Sequence, residues 1–219
     1  MKIFGTDFDG VIINIEPQKA KAFGAIVNKY WNFDSELARN FWLQKGGTAR
    51  RYKFDSIYNQ KYHSQLQDDI YLSIEQEYSH ILKTKFYPTV KLLTGAEKLL
   101  KFIRTSYASS FVSSGVPMDE LQYLIHHTGI SHYFDLVLGT NQIYTSKVDH
   151  FKKVIQKYKP NRIVFVADSP EDMMVAKKNP STIAIGVLTN HTYSDLKEAG
   201  ADYIVDDLFQ TLSVLKELN

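Results

Sequence analysis

The sequence predicts an α/β protein: a doubly wound parallel sheet, interrupted after its first strand by a block of helices. Three observations carry this. Residues 2–6 form a short apolar run at the start of the chain that reads as a buried strand. From residue 94 onward, β-branched and aromatic runs alternate with helical periods, a pattern that places a parallel sheet between helices. Between about residues 16 and 86, apolar and aromatic residues recur at three- and four-residue spacing with no strand among them.

The elements follow in order. Strand 2–6 ends in Asp7-Phe8-Asp9-Gly10-Val11, and helical stretches cover 20–31, 36–45, 52–61 and 68–84. A helix spans 94–106, with Thr94 and Glu97 as a capping box. Strand 108–112 leads to helix 117–127, which has Pro117 at its first position. Strand 134–138, helix 147–158, strand 162–167 and helix 170–179 come next, the last with Ser169 as its N-cap. Strand 182–187, a short helix 194–199, strand 203–205 and helix 207–218 close the chain. The first strand must join the sheet of the later ones, so the helical block is an insertion with hinges near 13–17 and 87–93. The expected organisation is a Rossmann-like core of residues 1–15 and 89–219 and a helical unit of residues 16–88.

Composition narrows the function. The 219 residues are 44% hydrophobic, enough for a sizeable core, and no run approaches a membrane span. Cysteine is absent, which excludes disulfides, thiolate catalysis and Cys-ligated zinc and makes a reducing cytoplasm the expected compartment. The chain enters its first strand at once, leaving no room for a signal peptide. A net charge of +2 argues against a general nucleic-acid binder. Residues 17–90 hold eleven Lys and Arg against seven Asp and Glu, whereas the remainder holds fifteen against seventeen. A mildly basic segment therefore faces an acidic one, which suits an anionic substrate held against a bound cation, and suits equally a solvated surface.

The chemistry-bearing residues fall at the carboxyl ends of the strands, where open α/β sheets bind ligands. Asp7 and Asp9 follow the first strand, Ser113-Ser114-Gly115 the second, and Asp168-Ser169-Pro170-Glu171-Asp172 strand 162–167; Lys147 opens the helix before that strand. Each has a plain alternative: an Asp-Gly turn, a strand-to-helix turn, a capped helix start, a solvated lysine. Together they form a constellation that those alternatives do not explain. Asp7, Asp9, Asp168 and Asp172 offer the hard oxygens that Mg²⁺ takes. Ser113 and the amides after it can hydrogen-bond a phosphoryl group, and Lys147 can balance its charge. A carboxylate attacking phosphorus forms an aspartyl-phosphate, and a second group must protonate the leaving oxygen.

On these residues the chain resembles the phosphatase branch of the haloacid dehalogenase superfamily along nearly its full length. Asp7-Phe8-Asp9-Gly10-Val11 matches motif I, Ser113 motif II, Lys147 motif III and Asp168 to Asp172 motif IV; Ala167 stands where many relatives have Gly. Gly200-Ala201-Asp202-Tyr203-Ile204-Val205 is similar to the group of phosphoglycolate phosphatase. The resemblance implies Asp7 as nucleophile and Asp9 as general acid/base with its backbone carbonyl on Mg²⁺. It further implies Asp168 on the metal, Asp172 on it through water or orienting Lys147, and Ser113 on the phosphoryl oxygens. Retention of Asp9 disfavours carbon–halogen chemistry. The insertion resembles the helical C1 cap, which in this family closes over the substrate and supplies specificity contacts.

Within that insertion, Gly46-Gly47-Thr48-Ala49-Arg50-Arg51 reads as a substrate loop, with Arg50 and Arg51 on anionic oxygens, or as a helix–helix turn with surface arginines. Trp31 and Trp42 read as cap core, and Asn14 and Glu16 sit at the hinge. The expected activity is Mg²⁺-dependent hydrolysis of a small phosphorylated metabolite, with no nucleic-acid or membrane partner. The alternatives are a hexose-phosphate mutase of the same superfamily and a non-catalytic module that binds phosphorylated ligands. A phosphonate hydrolase would need a cap lysine, for which Lys45 and Lys53 are the nearby candidates.

Overall fold

A computed structural model of the chain describes residues 1–46 and 48–218. They divide into two compact units, one of Met1–Asn14 with Lys91–Asn219, the other of Ile15–Val90. The first unit is built on six strands: β1 (Lys2–Thr6), β2 (Ser109–Pro117), β3 (Leu136–Thr140), β4 (Arg162–Ala167), β5 (Thr182–Val187) and β6 (Tyr203–Val205). All pair in parallel, in the order β3-β2-β1-β4-β5-β6. The chain thus runs outward from β1 to β3 and then returns to β4 on the other side. This reversal at β1 and β4 is the topological switch point at which such sheets bind ligands. Thr6 lies opposite both Val112 and Val166, so Asp7, Ser113 and Asp168 leave neighbouring strands at one edge.

Alternation along the strands sends Ile3, Phe111, Ile163, Phe165 and Ala184 to one face. There they bury α7 (Lys147–Tyr158), α8 (Pro170–Lys177) and α9 (Tyr193–Glu198) through Phe151, Met173 and Leu196. Phe151 meets Phe165 edge-on at 5.0 Å and Phe111 at 5.9 Å between ring centroids. Each such buried aromatic stabilises the fold by roughly 1.5–3 kcal/mol, and these rings fix the helix that carries Lys147. The Phe111 ring crosses β1 where it has no side chain: a Cβ on Gly5 would lie 2.2 Å from Phe111 Cζ. Helices α5 (Ala96–Ser106) and α10 (Leu208–Glu217) pack against each other on the opposite face, and α6 (Met118–His127) follows β2.

The second unit contains α1 (Glu16–Trp31), α2 (Ser35–Gln44), α3 (Arg50–Tyr62) and α4 (Asp68–Ile81), then a π-helical segment Leu82–Phe86. Pro17 opens α1 and Asp34 caps α2, its Oδ1 accepting from the Glu36 and Leu37 amides. Phe23, Trp42, Phe54 and Tyr78 form the aromatic core, with Trp31 packed edge-on against Phe54. Both tryptophans are buried core residues.

Three elements differ from the sequence reading. Helix α5 has no Thr94 capping box; Gly95, at φ +92°, is its N-cap and packs on Leu208 and Phe209. Strand β2 does not stop at Val112 but continues through Ser113 to Pro117, with a register shift against β3, so Pro117 is the extended N-cap of the following helix and not its first residue. Strand β3 starts two residues late because the Asp135 side chain takes over at its head. Its Oδ2 accepts from Ser109 Oγ and Ser110 N, both at 2.9 Å. No helix among the described residues is long and apolar enough to cross a membrane.

Candidate active site

Asp7 leaves the central strand at the switch point, its amide donating to Val166 O at 2.8 Å. Its Oδ1 accepts from the Phe8 amide at 2.6 Å and from Lys147 Nζ at 2.9 Å. The same ammonium donates to Asp172 Oδ2 at 2.6 Å. Lys147 is the first residue of α7 and Asp172 lies in the first turn of α8, which Ser169 caps through the Asp172 amide. Asp7, Asp168 and Asp172 are buried and offer oxygens within 4.8 Å of one another.

Asp168 packs against the backbone of the Asp9-Gly10 turn. Gly10 has φ +79°, and a Cβ there would lie 2.1 Å from Asp168 Oδ2. This glycine therefore serves both the turn and the carboxylate above it. The same Oδ2 accepts from Asn190 Nδ2 at 2.7 Å, and Asn190 Oδ1 faces Asn14 Nδ2 at 3.4 Å. Asp9 is buried on this turn, which the Gly10 amide closes onto Ile13 O at 2.7 Å.

Burial sets the electrostatics. It pushes the Asp7 carboxyl well up; Lys147 opposes the rise while Asp172 and Asp168 add to it. Burial likewise pushes Asp168 up to about 7, against the Asn190 hydrogen bond and with the repulsion of Asp172 and Asp9. Burial disfavours charge on Lys147, but Asp172 and Asp7 outweigh it and keep the ammonium protonated above its ordinary range. One lysine does not neutralise this many close acids, and the remaining repulsion is what a divalent cation would relieve. Buried hard oxygens gathered in this way fit Mg²⁺.

Ser113 is fully buried, and its Oγ lies 2.9 Å from His150 Nδ1. Ser114 Oγ accepts from the Val116 amide at 3.2 Å, and the Gly115 carbonyl accepts from Thr140 Oγ1 at 3.3 Å. His150 and Asn190 were not singled out in the sequence. Lys147 and His150 stand three apart on one helix, a spacing that puts both on one face, and Asn190 lies in the loop after β5 at the same sheet edge.

The singled-out residues of the second unit have partners within it. Arg50 is buried, with its Cζ 4.9 Å from the Tyr78 ring centroid, and Nη1 donates to Glu75 Oε1 at 2.5 Å and Ser79 Oγ at 2.8 Å. Arg51 pairs with Asp55 and Asp68, each at 2.8 Å, donates to Leu66 O and lies over the Tyr71 ring. Thr48 Oγ1 donates to Lys45 O at 2.7 Å, and Gly47 lies outside the described residues. Glu16 accepts from Trp42 Nε1 and pairs with Lys19, and Lys53 Nζ sits 3.9 Å from the Trp42 ring centroid.

A parallel sheet with an acidic dyad on its central strand, a lysine, and further acids across the switch point defines a class of hydrolase. The profile of the haloacid dehalogenase-like hydrolases matches residues 3–185, and the chain belongs to that family. Solved structures share the fold. A predicted phosphatase from Clostridium acetobutylicum superposes with TM-score 0.83 at 21% identity, covering 99% of this chain and 98% of that one. A predicted phosphoglycolate phosphatase from Haemophilus somnus 129pt gives 0.80 at 18% identity, covering 98% of each chain. A hydrolase from Pseudomonas syringae gives 0.85 at 17% identity, covering 99% of each. No curated protein matches the sequence significantly.

Proposed function

We propose that the chain is a phosphatase that removes the phosphoryl group of a small phosphorylated metabolite through an aspartyl-phosphate on Asp7. The observation that carries this reading is the Asp7 carboxylate itself. It lies at the switch point, with Lys147 at 2.9 Å and the oxygens of Asp168 and Asp172 within 4.8 Å.

Asp7 Oδ1 is held by the Phe8 amide and Lys147, so Oδ2 is the attacking oxygen. The new Oδ2–P bond forms as the ester P–O bond breaks, and Asp9 gives its proton to the leaving oxygen. Asp9 then takes a proton from water, whose oxygen attacks the same phosphorus and releases phosphate and free Asp7. Lys147 offsets phosphoryl charge while Asp172 holds its ammonium in place. Mg²⁺, held by Asp168, Asp172, Asp7 and the Asp9 carbonyl, would neutralise phosphoryl oxygens. The inserted unit of residues 15–90 is the cap in this reading and governs substrate choice.

The test is release of inorganic phosphate from a panel of phosphomonoesters, with and without Mg²⁺. Asp7→Asn, an isostere with a poor nucleophile, should abolish turnover in a folded protein. Wild-type turnover in that variant, or undiminished release in excess chelator, would remove Asp7 or the cation from these roles.

A further inference from the structure

The buried pair of Ser113 and His150 has only one proton to share, and this restricts what Ser113 can do. His150 has no solvent exposure. Its Nε2 faces the Gly139 carbonyl at 3.1 Å. A carbonyl oxygen only accepts, so Nε2 carries the hydrogen and Nδ1 of the neutral ring is the acceptor. Ser113 therefore donates its hydroxyl hydrogen to Nδ1 at 2.9 Å. In that state it presents lone pairs, not a proton, to anything else that approaches.

A phosphoryl group needs the opposite. Its oxygens accept, so Ser113 must turn its O–H toward them. A lone pair of Oγ then faces a lone pair of Nδ1 in a site without water access, which is costly. Exchanging the tautomer does not help, because Nε2 would then set a lone pair against the Gly139 carbonyl. All three contacts are satisfied together only by an imidazolium, with Nδ1–H on Ser113 Oγ and Nε2–H on Gly139 O.

We propose that phosphoryl binding at Ser113 is coupled to uptake of one proton from solvent by His150, which makes His150 the positioning residue of the phosphoryl grip. This rests on the phosphatase reading of the site. The charged groups whose fields act on His150 are Lys147 and Asp149 of its own helix and Asp172 of α8, and the Tyr144 ring of the preceding loop lies edge-on to it at 6.1 Å. Without a bound anion, burial and then Lys147 hold the imidazole down to about 4, so it is neutral at physiological pH. An arriving anion supplies the negative charge that this balance lacks. This proton alone should strengthen affinity for the phosphoryl group by about tenfold for each unit that pH falls, on top of the titration of phosphate itself and of Asp168.

The experiment uses the full chain labelled with ¹⁵N-histidine and inorganic phosphate as the probe. The His150 resonances are assigned by their loss in His150→Asn. Saturating phosphate at pH 7 should convert His150 from one bare and one protonated nitrogen to two protonated nitrogens. Ser113→Ala has no hydroxyl to redirect, so phosphate should leave His150 neutral there. His150→Asn places an amide donor where Nδ1 stood; calorimetry in buffers of different ionisation enthalpy should find about one proton fewer taken up per phosphate. Phosphate that binds while His150 stays neutral in the wild-type chain overturns the coupling and leaves the phosphoryl site standing. Absence of any phosphate binding overturns the phosphoryl site, and the coupling with it.

Discussion

Replacing Asp168 by Asn should make the cation-free protein more stable at pH 8, although it removes a residue of the site. In the folded chain the Asp168 carboxyl is raised from its ordinary 3.8 to about 7, mainly by burial. Between those values the folded chain keeps a proton that the unfolded chain has released. The stability this confers is fully present below about pH 3.8 and is lost as pH rises through about 7. Roughly three pKa units at ~1.36 kcal/mol each make this about 4 kcal/mol. Asn does not titrate, and its side-chain oxygen still accepts from Asn190 Nδ2, which lies 2.7 Å from Asp168 Oδ2. Asp7 is raised in the same sense in both proteins, and partly by Asp168, so the difference measures residue 168 together with its coupling to Asp7. Urea denaturation in chelator at pH 5, 6, 7 and 8 measures the difference. The variant should exceed wild type by roughly 1.5 kcal/mol at pH 5 and by about 4 kcal/mol at pH 8. Added Mg²⁺ should narrow the gap: a cation at a hundred times its dissociation constant stabilises wild type by about 2.7 kcal/mol, and the variant by less. Parallel pH profiles in chelator, or a variant less stable than wild type at pH 8, would refute the reasoning.

Other perturbations separate the remaining roles. Gly10→Ala puts a Cβ against Asp168 at a positive φ, so it should lose at least ~1–3 kcal/mol together with its stabilisation by Mg²⁺; an unchanged melting curve and unchanged Mg²⁺ response would contradict the close approach. Asp9→Asn should lower the rate by ~10²–10⁴ on esters with poor leaving groups, and full activity on them would exclude Asp9 as the acid. Arg50→Ala leaves the Glu75 carboxylate without its buried partner and should lose ~1–3 kcal/mol, whereas Arg51→Ala, whose pairs are more exposed, should lose about 0–1. Equal losses in denaturant would show that burial does not distinguish them.

The parts of this molecule legible in its sequence are those fixed by local pattern. The apolar run before Asp7 is one, because a buried parallel strand needs few polar residues. The start of α7 at Lys147 is another, and so is the Ser169 cap of α8, whose hydroxyl accepts from the Asp172 amide. What escaped depends on partners far along the chain. Thr94 and Glu97 satisfy the spacing of a capping box, but Gly95 packs on Leu208 and Phe209 and starts α5 later. Arg50 and Arg51 pair with Glu75 and Asp68, partners that no local pattern announces. The significance of His150 lies in two neighbours, Ser113 and the Gly139 carbonyl, that only the sheet brings together.

The strand order has a consequence for the birth of the protein. Strand β1, the first made, sits between two strands made much later: Ile3 pairs with Ser109 on one side and with Ile163 on the other. At ~5–20 residues per second, synthesis must run for roughly 5–20 s after Ile3 before its first partner exists, and longer before the second. During that interval the helical unit of residues 15–90 has been synthesised in full, while the strand that carries Asp7 is still an unpaired apolar segment. A nascent chain halted before Ser109 would hold Asp7 and the inserted helices but no sheet. A ribosome pause in that window would lengthen the exposure of this unpaired apolar segment.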